Sequence, residues 1–170
     1  MENRVLVAYA TATGVTGEIA EAIGEVLREA GSTADVVPAK EVADLSPYSG
    51  VVVGSGVRVG KPYAEAIKFM GDHEAALSEK PVACFVACGT LSENTEENCT
   101  EAAGFVDALA AAAPSVQPVA KQAFGGATDF AKLPFFMRLL LPMMGKKEGD
   151  WRDWDAIRAW AAEIGPKLAV

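Results

Sequence analysis

Cysteine, histidine and basic charge are all scarce in this chain of 170 residues. The three cysteines, Cys84, Cys88 and Cys99, contain no C-x-x-C pair, so their spacing excludes a zinc ribbon or a dithiol motif. Reduced thiols are expected, with Cys84 inside a buried strand and Cys88 at its end, and therefore a cytoplasmic protein. The one histidine, His73, has no partner at ligand spacing and is assigned to the surface, so no metal site is expected. Basic residues number 15 against 23 acidic ones, a net charge of −8. That balance argues against nucleic acid, whose binding rests on neutralised phosphates. No uninterrupted apolar run reaches the roughly eighteen residues of a membrane span, and no charged-then-apolar leader opens the chain. Repeats and low-complexity linkers are missing too, so residues 1–170 are read as one domain.

Two nucleotide motifs are also absent. There is no G-x-x-x-x-G-K-[ST], and no G-x-G-x-x-G follows a strand. What stands in their place is Tyr9-Ala10-Thr11-Ala12-Thr13-Gly14-Val15-Thr16-Gly17, after the apolar run Val5–Tyr9 and before a helical pattern through Ile19, Ile23, Val26 and Leu27. A strand feeding a hydroxyl- and glycine-rich turn and then a helix builds an anion site, because unpaired N–H groups and the positive end of the helix dipole meet there. No Lys or Arg occurs between Arg4 and Arg28. A phosphate in this loop is therefore expected to be held by neutral donors.

Apolar runs alternate with helical patterns from end to end, which predicts an α/β fold with a parallel sheet covered on both faces. Strands are expected at Arg4–Tyr9, Thr33–Val37, Gly50–Gly54, Pro81–Ala87 and near Val116–Phe124, the last an edge strand because it contains Pro118. Helix one is expected over Val15–Ala30, stopped by Gly31. Helix two starts at Pro62 and buries Tyr63, Ile67, Met70 and Leu77. Helix three buries Cys99, Ala103, Val106 and Ala110. The final helix is capped by Asp153 and buries Trp154, Ile157, Ala161, Ile164 and Leu168. Five strands joined by right-handed crossovers make a doubly wound sheet, whose ligands sit at the carboxyl ends of the strands where the winding reverses.

The loops leaving strands one and three, Thr11–Gly17 and Gly54-Ser55-Gly56-Val57-Arg58-Val59-Gly60, are both small and glycine-bearing. A third loop, Cys88-Gly89-Thr90-Leu91-Ser92-Glu93-Asn94, offers Gly, hydroxyl and amide groups that could edge a flat ligand. On these residues the chain resembles the flavodoxin-like proteins, and within them the flavodoxin-type, menaquinone-dependent protoporphyrinogen oxidases. Thr11-x-Thr13-Gly14-x-Thr16 fills each position of the family's T-x-T-G-x-T phosphate loop, and Asp153-Trp154 looks like the family's start of the last helix. The resemblance implies strand order 2-1-3-4-5, non-covalent FMN, and electron transfer, for the oxidases from a porphyrinogen to a quinone. Carried onto this chain, it places the phosphate on Thr11, Ala12, Thr13, Gly14, Val15 and Thr16. The ring would be bordered by Ser55, Gly56, Val57, Arg58, Gly60, Cys88, Gly89, Thr90 and Leu91.

Neither ring loop contains an aromatic residue, so Val57 and Leu91 would replace the stacking rings of many flavodoxins. Tyr63, the nearest aromatic, is assigned to helix core. Arg58 either faces the cofactor mouth and binds a carboxylate or phosphate through its fork, or is a solvated charge. Glu93, Glu96 and Glu97 make the third loop acidic, unlike a site for porphyrin carboxylates. The segment at about 130–147, an insert before the last helix, carries Lys132, Arg138, Lys146 and Lys147 and no acid among many apolar residues. It suits a lid over a greasy substrate, a peripheral membrane contact, or a short helix between Pro134 and Pro142 that packs on the domain. Two functions follow: an FMN-dependent oxidoreductase of the protoporphyrinogen oxidase type with quinone as acceptor, or an electron carrier docking to redox partner proteins. No catalytic side chain is singled out.

Overall fold

The computed structural model describes residues 2–169. Its strands are β1 (Arg4–Ala10), β2 (Thr33–Pro38), β3 (Gly50–Arg58), β4 (Lys61–Pro62), β5 (Val82–Cys88), β6 (Ala120–Gly125), β7 (Ala127–Thr128) and β8 (Gly149–Asp150). Its helices are α1 (Val15–Glu29), α2 (Ala64–Asp72), α3 (Glu74–Ser78), α4 (Glu96–Ala111), α5 (Phe135–Met143) and α6 (Trp154–Leu168). The main sheet runs β2-β1-β3-β5-β6, all parallel, which is the expected 2-1-3-4-5 order with β4 added as a short antiparallel return on β3. A separate two-stranded pair, β7 with β8, closes the base of the insert.

Alternation along the strands divides the core into two layers. Leu6, Ala8, Val51, Val53, Cys84 and Val86 meet Phe69, Met70, Leu77, Phe105, Val106 and Leu109 on one face. On the other, Val5, Val7, Val52 and Phe85 meet Ile19, Ile23 and Leu27 of α1 and Ile157, Trp160, Ile164 and Leu168 of α6. Phe85, Phe124 and Trp160 form a cluster with ring centroids 5.7–6.0 Å apart. Phe85 fits only because residue 54 is glycine, since a Cβ there would sit 2.1 Å from its ring.

Helix α1 ends as expected. Gly31 adopts φ +95°, its N–H donates to Arg28 O (3.0 Å), and Ser32 N–H donates to Leu27 O (3.0 Å). Other boundaries differ from expectation. Strand β3 does not stop at Gly54 but runs on to Arg58, paired to β5 through Ser55–Val86 and Gly56–Ala87. It then turns back through Val59 (φ +51°) and Gly60 (φ +71°), a tight hairpin of the left-handed kind. Pro62 therefore lies in β4 and does not start a helix, because Tyr63 N–H is tied back to Ser55 Oγ at 2.9 Å and the chain stays extended. Helix two is split at His73 into α2 and α3, and its buried stripe includes Phe69.

Helix α4 is rotated from the expected face. Ala102, Phe105, Val106 and Leu109 are buried, while Cys99 and Ala103 are exposed, because the larger side chains take the interior. In α6, Trp160 is buried and Trp154 is not; the Trp154 ring lies against the Arg152 guanidinium, 4.8 Å from centroid to carbon. Strand β6 is an edge, as expected, but begins after Pro118.

Candidate functional site

The winding reverses between β1 and β3, and the chain leaves both strands into one cleft of about 410 Å³, the size range of small-molecule sites. From β1 comes the loop before α1. Gly14 takes φ +87° at the helix N-cap, and Thr11 Oγ1 accepts a hydrogen bond from its N–H at 3.0 Å. The first intrahelical bond runs from Glu18 N–H to Gly14 O (3.1 Å), so the N–H groups of Val15, Thr16 and Gly17 precede any helical acceptor. Two other long helices are capped by side chains. Thr95 Oγ1 accepts from Asn98 N–H at 3.1 Å, and Asp153 Oδ1 accepts from Ala156 N–H at 3.0 Å. The N-terminus of α1 has no such cap, and it opens on the cleft.

From β3 come Gly56, Val57 and Arg58, and from the turn after β5 comes Gly89. Tyr63 packs against the core as assigned and also lines the cleft, and its ring covers Gly56, where a Cβ would come within 2.4 Å of it. Burial pushes the Tyr63 phenol above its ordinary value, against the opposing charge of Arg58. The remaining walls are the segment after β6, which the sequence reading does not include, and the insert, for which a lid is one reading. Gly126, Ala127, Thr128 and Asp129 follow β6, and Lys132, Leu133, Pro134, Met137 and Leu141 belong to the insert. The Gly125-Gly126 pair with Thr128 after the last sheet strand was the available signal, since small and hydroxyl residues after a strand marked the other two loops.

Of the phosphate-loop candidates, Thr11, Ala12, Thr13, Val15 and Thr16 line the cleft, while Gly14 shapes the loop through its backbone. Of the ring candidates, Gly56, Val57, Arg58 and Gly89 line it and five do not. Ser55 is buried, donating to Gly56 O at 2.7 Å and accepting from Tyr63 N–H, so its hydroxyl locks the hairpin and does not reach a ligand. Gly60 forms the hairpin turn. Cys88 is buried with its thiol pushed up by burial. Thr90 opens into a neighbouring cavity with Glu93, Lys146 and Lys147, and Leu91 into a groove beside Cys99. Arg58 faces the cleft and is exposed, which joins its two readings.

The insert is a 3-10 turn (Phe130–Lys132) followed by α5. Its folding is internal. Arg138 donates to Leu133 O (2.9 Å) and Ala131 O (2.6 Å), Asp129 Oδ1 accepts from Ala131 N–H (2.9 Å), and Glu148 Oε1 accepts from Phe130 N–H (3.0 Å). Below it, Arg152 is bound to Asp150 of β8 (2.9 and 2.7 Å) and to Glu18 of α1, which pins the base of the insert beside the phosphate loop. The Arg152 guanidinium holds the Asp150 carboxyl below its ordinary value, and those bonds raise the arginine's own. Helix α5 is the short helix expected around Pro134 and Pro142, and none of its residues is fully buried. Leu133, Met137 and Leu141 are half-buried along the cleft, while Phe135, Phe136, Leu139, Leu140, Met143 and Met144 are exposed. Folding also brings Lys132 to the phosphate-loop end of the cleft from far along the chain. Among the described residues there is no group of three or more His, Cys, Asp or Glu side chains that could hold a metal. No helix among them is long and apolar enough to cross a membrane.

A family model for the flavodoxin domain matches residues 6–155, and the chain belongs to that family. It is 27% identical over 176 residues to the protoporphyrinogen IX dehydrogenase (quinone) of Leishmania major, across 95% of this chain and 74% of that one. It is 23% identical over 172 residues to the protein of the same name from Escherichia coli K12, across 95% and 94% of the two chains. Among solved structures, oxidised Flavodoxin 1 from Bacillus cereus superposes with a TM-score of 0.65 at 15% identity, covering 98% of this chain and 99% of the other. The cofactor of the chain is FMN. The cleft suits it in three respects: an uncapped helix N-terminus behind three threonines, a small-residue edge at Gly56 and Gly89, and an apolar wall from the insert.

Proposed function

We propose that this protein is an FMN-dependent oxidoreductase that takes electrons from a flat, largely apolar substrate of the porphyrinogen kind and passes them to a quinone. The observation that carries this reading is the second wall of the cleft. Leu133, Met137 and Leu141 of the insert face the phosphate loop and Gly56–Arg58 across one space, where a bare electron carrier needs only an accessible cofactor edge. In the proposed complex the N–H groups of Val15, Thr16 and Gly17 and the hydroxyls of Thr11, Thr13 and Thr16 hold the phosphate. Gly56, Val57 and Gly89 border the ring, and Ser55 keeps the hairpin beneath it in place. When bound, FMN supplies electron-pair or single-electron transfer; the protein supplies binding, orientation and electrostatics. Arg58 is assigned to an acidic group of the substrate through its planar fork. The apolar insert residues exclude water from the ring, replacing the stacking aromatics absent from both ring loops.

The outer side of α5 supports a membrane partner. Its bare Phe, Leu and Met residues, followed by Lys146 and Lys147, have the composition of a segment that lies in a lipid headgroup layer. A quinone and a porphyrinogen are both apolar enough to be met there, on the cytoplasmic side of a membrane. A carrier docking to basic redox proteins is the second reading, favoured by exposed Glu93, Glu96 and Glu97 beside the cleft.

Absorbance titration should give one FMN per chain, with FAD bound poorly. Protoporphyrinogen oxidation with a quinone acceptor, followed by porphyrin fluorescence, then separates the two functions. Removing 130–147 and joining 129 to 148 with a Gly-Ser turn should abolish that turnover while dithionite still reduces the flavin. The join is short because β7 and β8 already pair antiparallel, Thr128 opposite Gly149. Undiminished turnover in the folded deletion rejects the role of the insert and leaves the carrier. A full-length protein that reduces quinone from a partner flavoprotein but never from porphyrinogen has the same consequence.

A further inference from the structure

We infer that Lys132 binds the cofactor phosphate from the insert, so that the phosphate itself fastens the insert over the cleft. The inference rests on the FMN reading and adds a residue and a coupling to it. Beside the phosphate loop lies a small cavity of about 280 Å³ that contains Thr13, Val15 and Lys132, and the larger cleft contains the same three residues. Lys132 thus stands at the end of the site where the α1 N-terminus opens, whereas Arg58 borders only the larger cleft.

Charge accounting singles out this lysine. A phosphate carries close to two negative charges near pH 7, and the loop from Thr11 to Gly17 contains no cation. Arg152 also lines the small cavity, but it is consumed by Asp150 and Glu18. Two further carboxylates line the same small cavity, Asp129 and Glu148; they accept from Ala131 N–H and Phe130 N–H, keep their negative charge and form no ion pair with Lys132. Among the described residues Lys132 makes no ion pair and no side-chain hydrogen bond, although it is set at the end of a 3-10 turn that three side-chain contacts hold in shape. A fixed turn that presents one ammonium outside any ion pair to an uncapped helix start suits an anion, and a point charge on a flexible stem suits phosphate.

The consequence is mechanical. The insert has no buried residue and is joined to the core through β7, β8 and the Arg152 contacts. Binding that engages Lys132 adds a third attachment on the cleft side and holds Met137 and Leu141 over the ring. A flavin without phosphate gives the same ring contacts but no such attachment.

Riboflavin and FMN are therefore the probes, with hydrogen exchange over 130–145 and fluorescence titration as readouts. In the unmodified protein FMN should slow exchange in the insert and riboflavin should not. In K132Q the FMN affinity should fall roughly tenfold, the factor equivalent to about 1.4 kcal/mol. Riboflavin affinity should stay as it was, and the protection should vanish. K132R should restore most of both effects, and added salt should weaken FMN binding to the unmodified protein more than to K132Q. Equal protection by the two flavins, or equal loss of both affinities in K132Q, overturns the inference while leaving FMN as cofactor. Failure of the unmodified protein to bind either flavin overturns both.

Discussion

Helices α5 and α6 stand close together in the chain and teach opposite lessons about apolar residues. Helix α6 carries five buried residues, Ile157, Trp160, Ala161, Ile164 and Leu168, spaced to face the sheet, and charged residues on its other side. Helix α5, Phe-Phe-Met-Arg-Leu-Leu-Leu-Pro-Met, is richer in apolar side chains and buries none of them fully; Phe135 is 74% and Met143 84% exposed. Apolar content sets what burial would be worth, but burial needs a facing layer. The sheet face under α6 supplies one, and the insert has only the rim of a cleft. A helix left this bare is consistent with the proposed contact to substrate and membrane, since monomeric proteins rarely show so contiguous an apolar surface without a use.

Substitutions test that contrast directly. Ile164→Ala should cost about 2–5 kcal/mol of stability, the range for truncating a buried aliphatic side chain, read by denaturant unfolding. Leu139→Ser on α5 should change stability by no more than about 0.5 kcal/mol, yet reduce binding to lipid vesicles. Equal losses of stability would mean that α5 is core after all.

A smaller effect is expected at the phosphate loop. In Gly14→Val the added Cβ would meet no atom within 4 Å, so a clash at Cβ is not the reason to expect harm. The reason is φ +87°, a conformation that costs an L-residue about 1–2 kcal/mol. Stability should drop by about that amount if the loop keeps its shape, and FMN affinity by about that amount if the free loop relaxes out of it. Thr11→Ala removes the acceptor for Gly14 N–H and should cost about 1 kcal/mol by the same titration.

The clip at the base of the insert should respond to acid. Asp150 is held below its ordinary value, chiefly by its hydrogen bonds to Arg152, so its contribution is complete above the ordinary aspartate range near pH 3.9. It is lost as the pH falls below that range through the lowered folded value. Proteolysis within the insert should therefore rise below about pH 4 in the unmodified protein and be fast at all pH values in Arg152→Ala. The smallest perturbation is thiol labelling. Cys99 is exposed and should react in the native state. Cys84, buried with its thiol pushed up to about 12, should react only on unfolding.

Local chemistry made much of this molecule readable. Apolar runs and helical patterns located the strands and helices, the family resemblance supplied the strand order, Gly31 ended α1, Asp153 capped α6, and the threonine run marked the turn that opens the cleft. The errors share a cause. Strand β3 was ended too early because Gly54 and Gly56 look like loop residues; in the fold they are strand positions cleared for the rings of Phe85 and Tyr63. The face of α4 was misplaced because small residues and Cys99 have the same spacing as a core stripe, and only packing shows that Phe105 and Leu109 take the interior. Ser55 looked like a ligand group, and its partners, Gly56 O and Tyr63 N–H, exist only once β3 turns back on itself.

By itself the sequence determined the alternation of strands and helices and the threonine–glycine turn that starts α1, because both depend on residues within a few positions of one another and on short-range rules of periodicity, turn geometry and helix termini. Only the tertiary structure decided what completes the site. Tyr63 and the segment carrying Asp129, Lys132 and Met137 reach the cleft from stretches far from the phosphate loop, and α5 turns one side toward it and the other outward. Charge and apolar surface act through distance in space, which residue order leaves open until the sheet closes and the β7–β8 pair fixes where the insert stands.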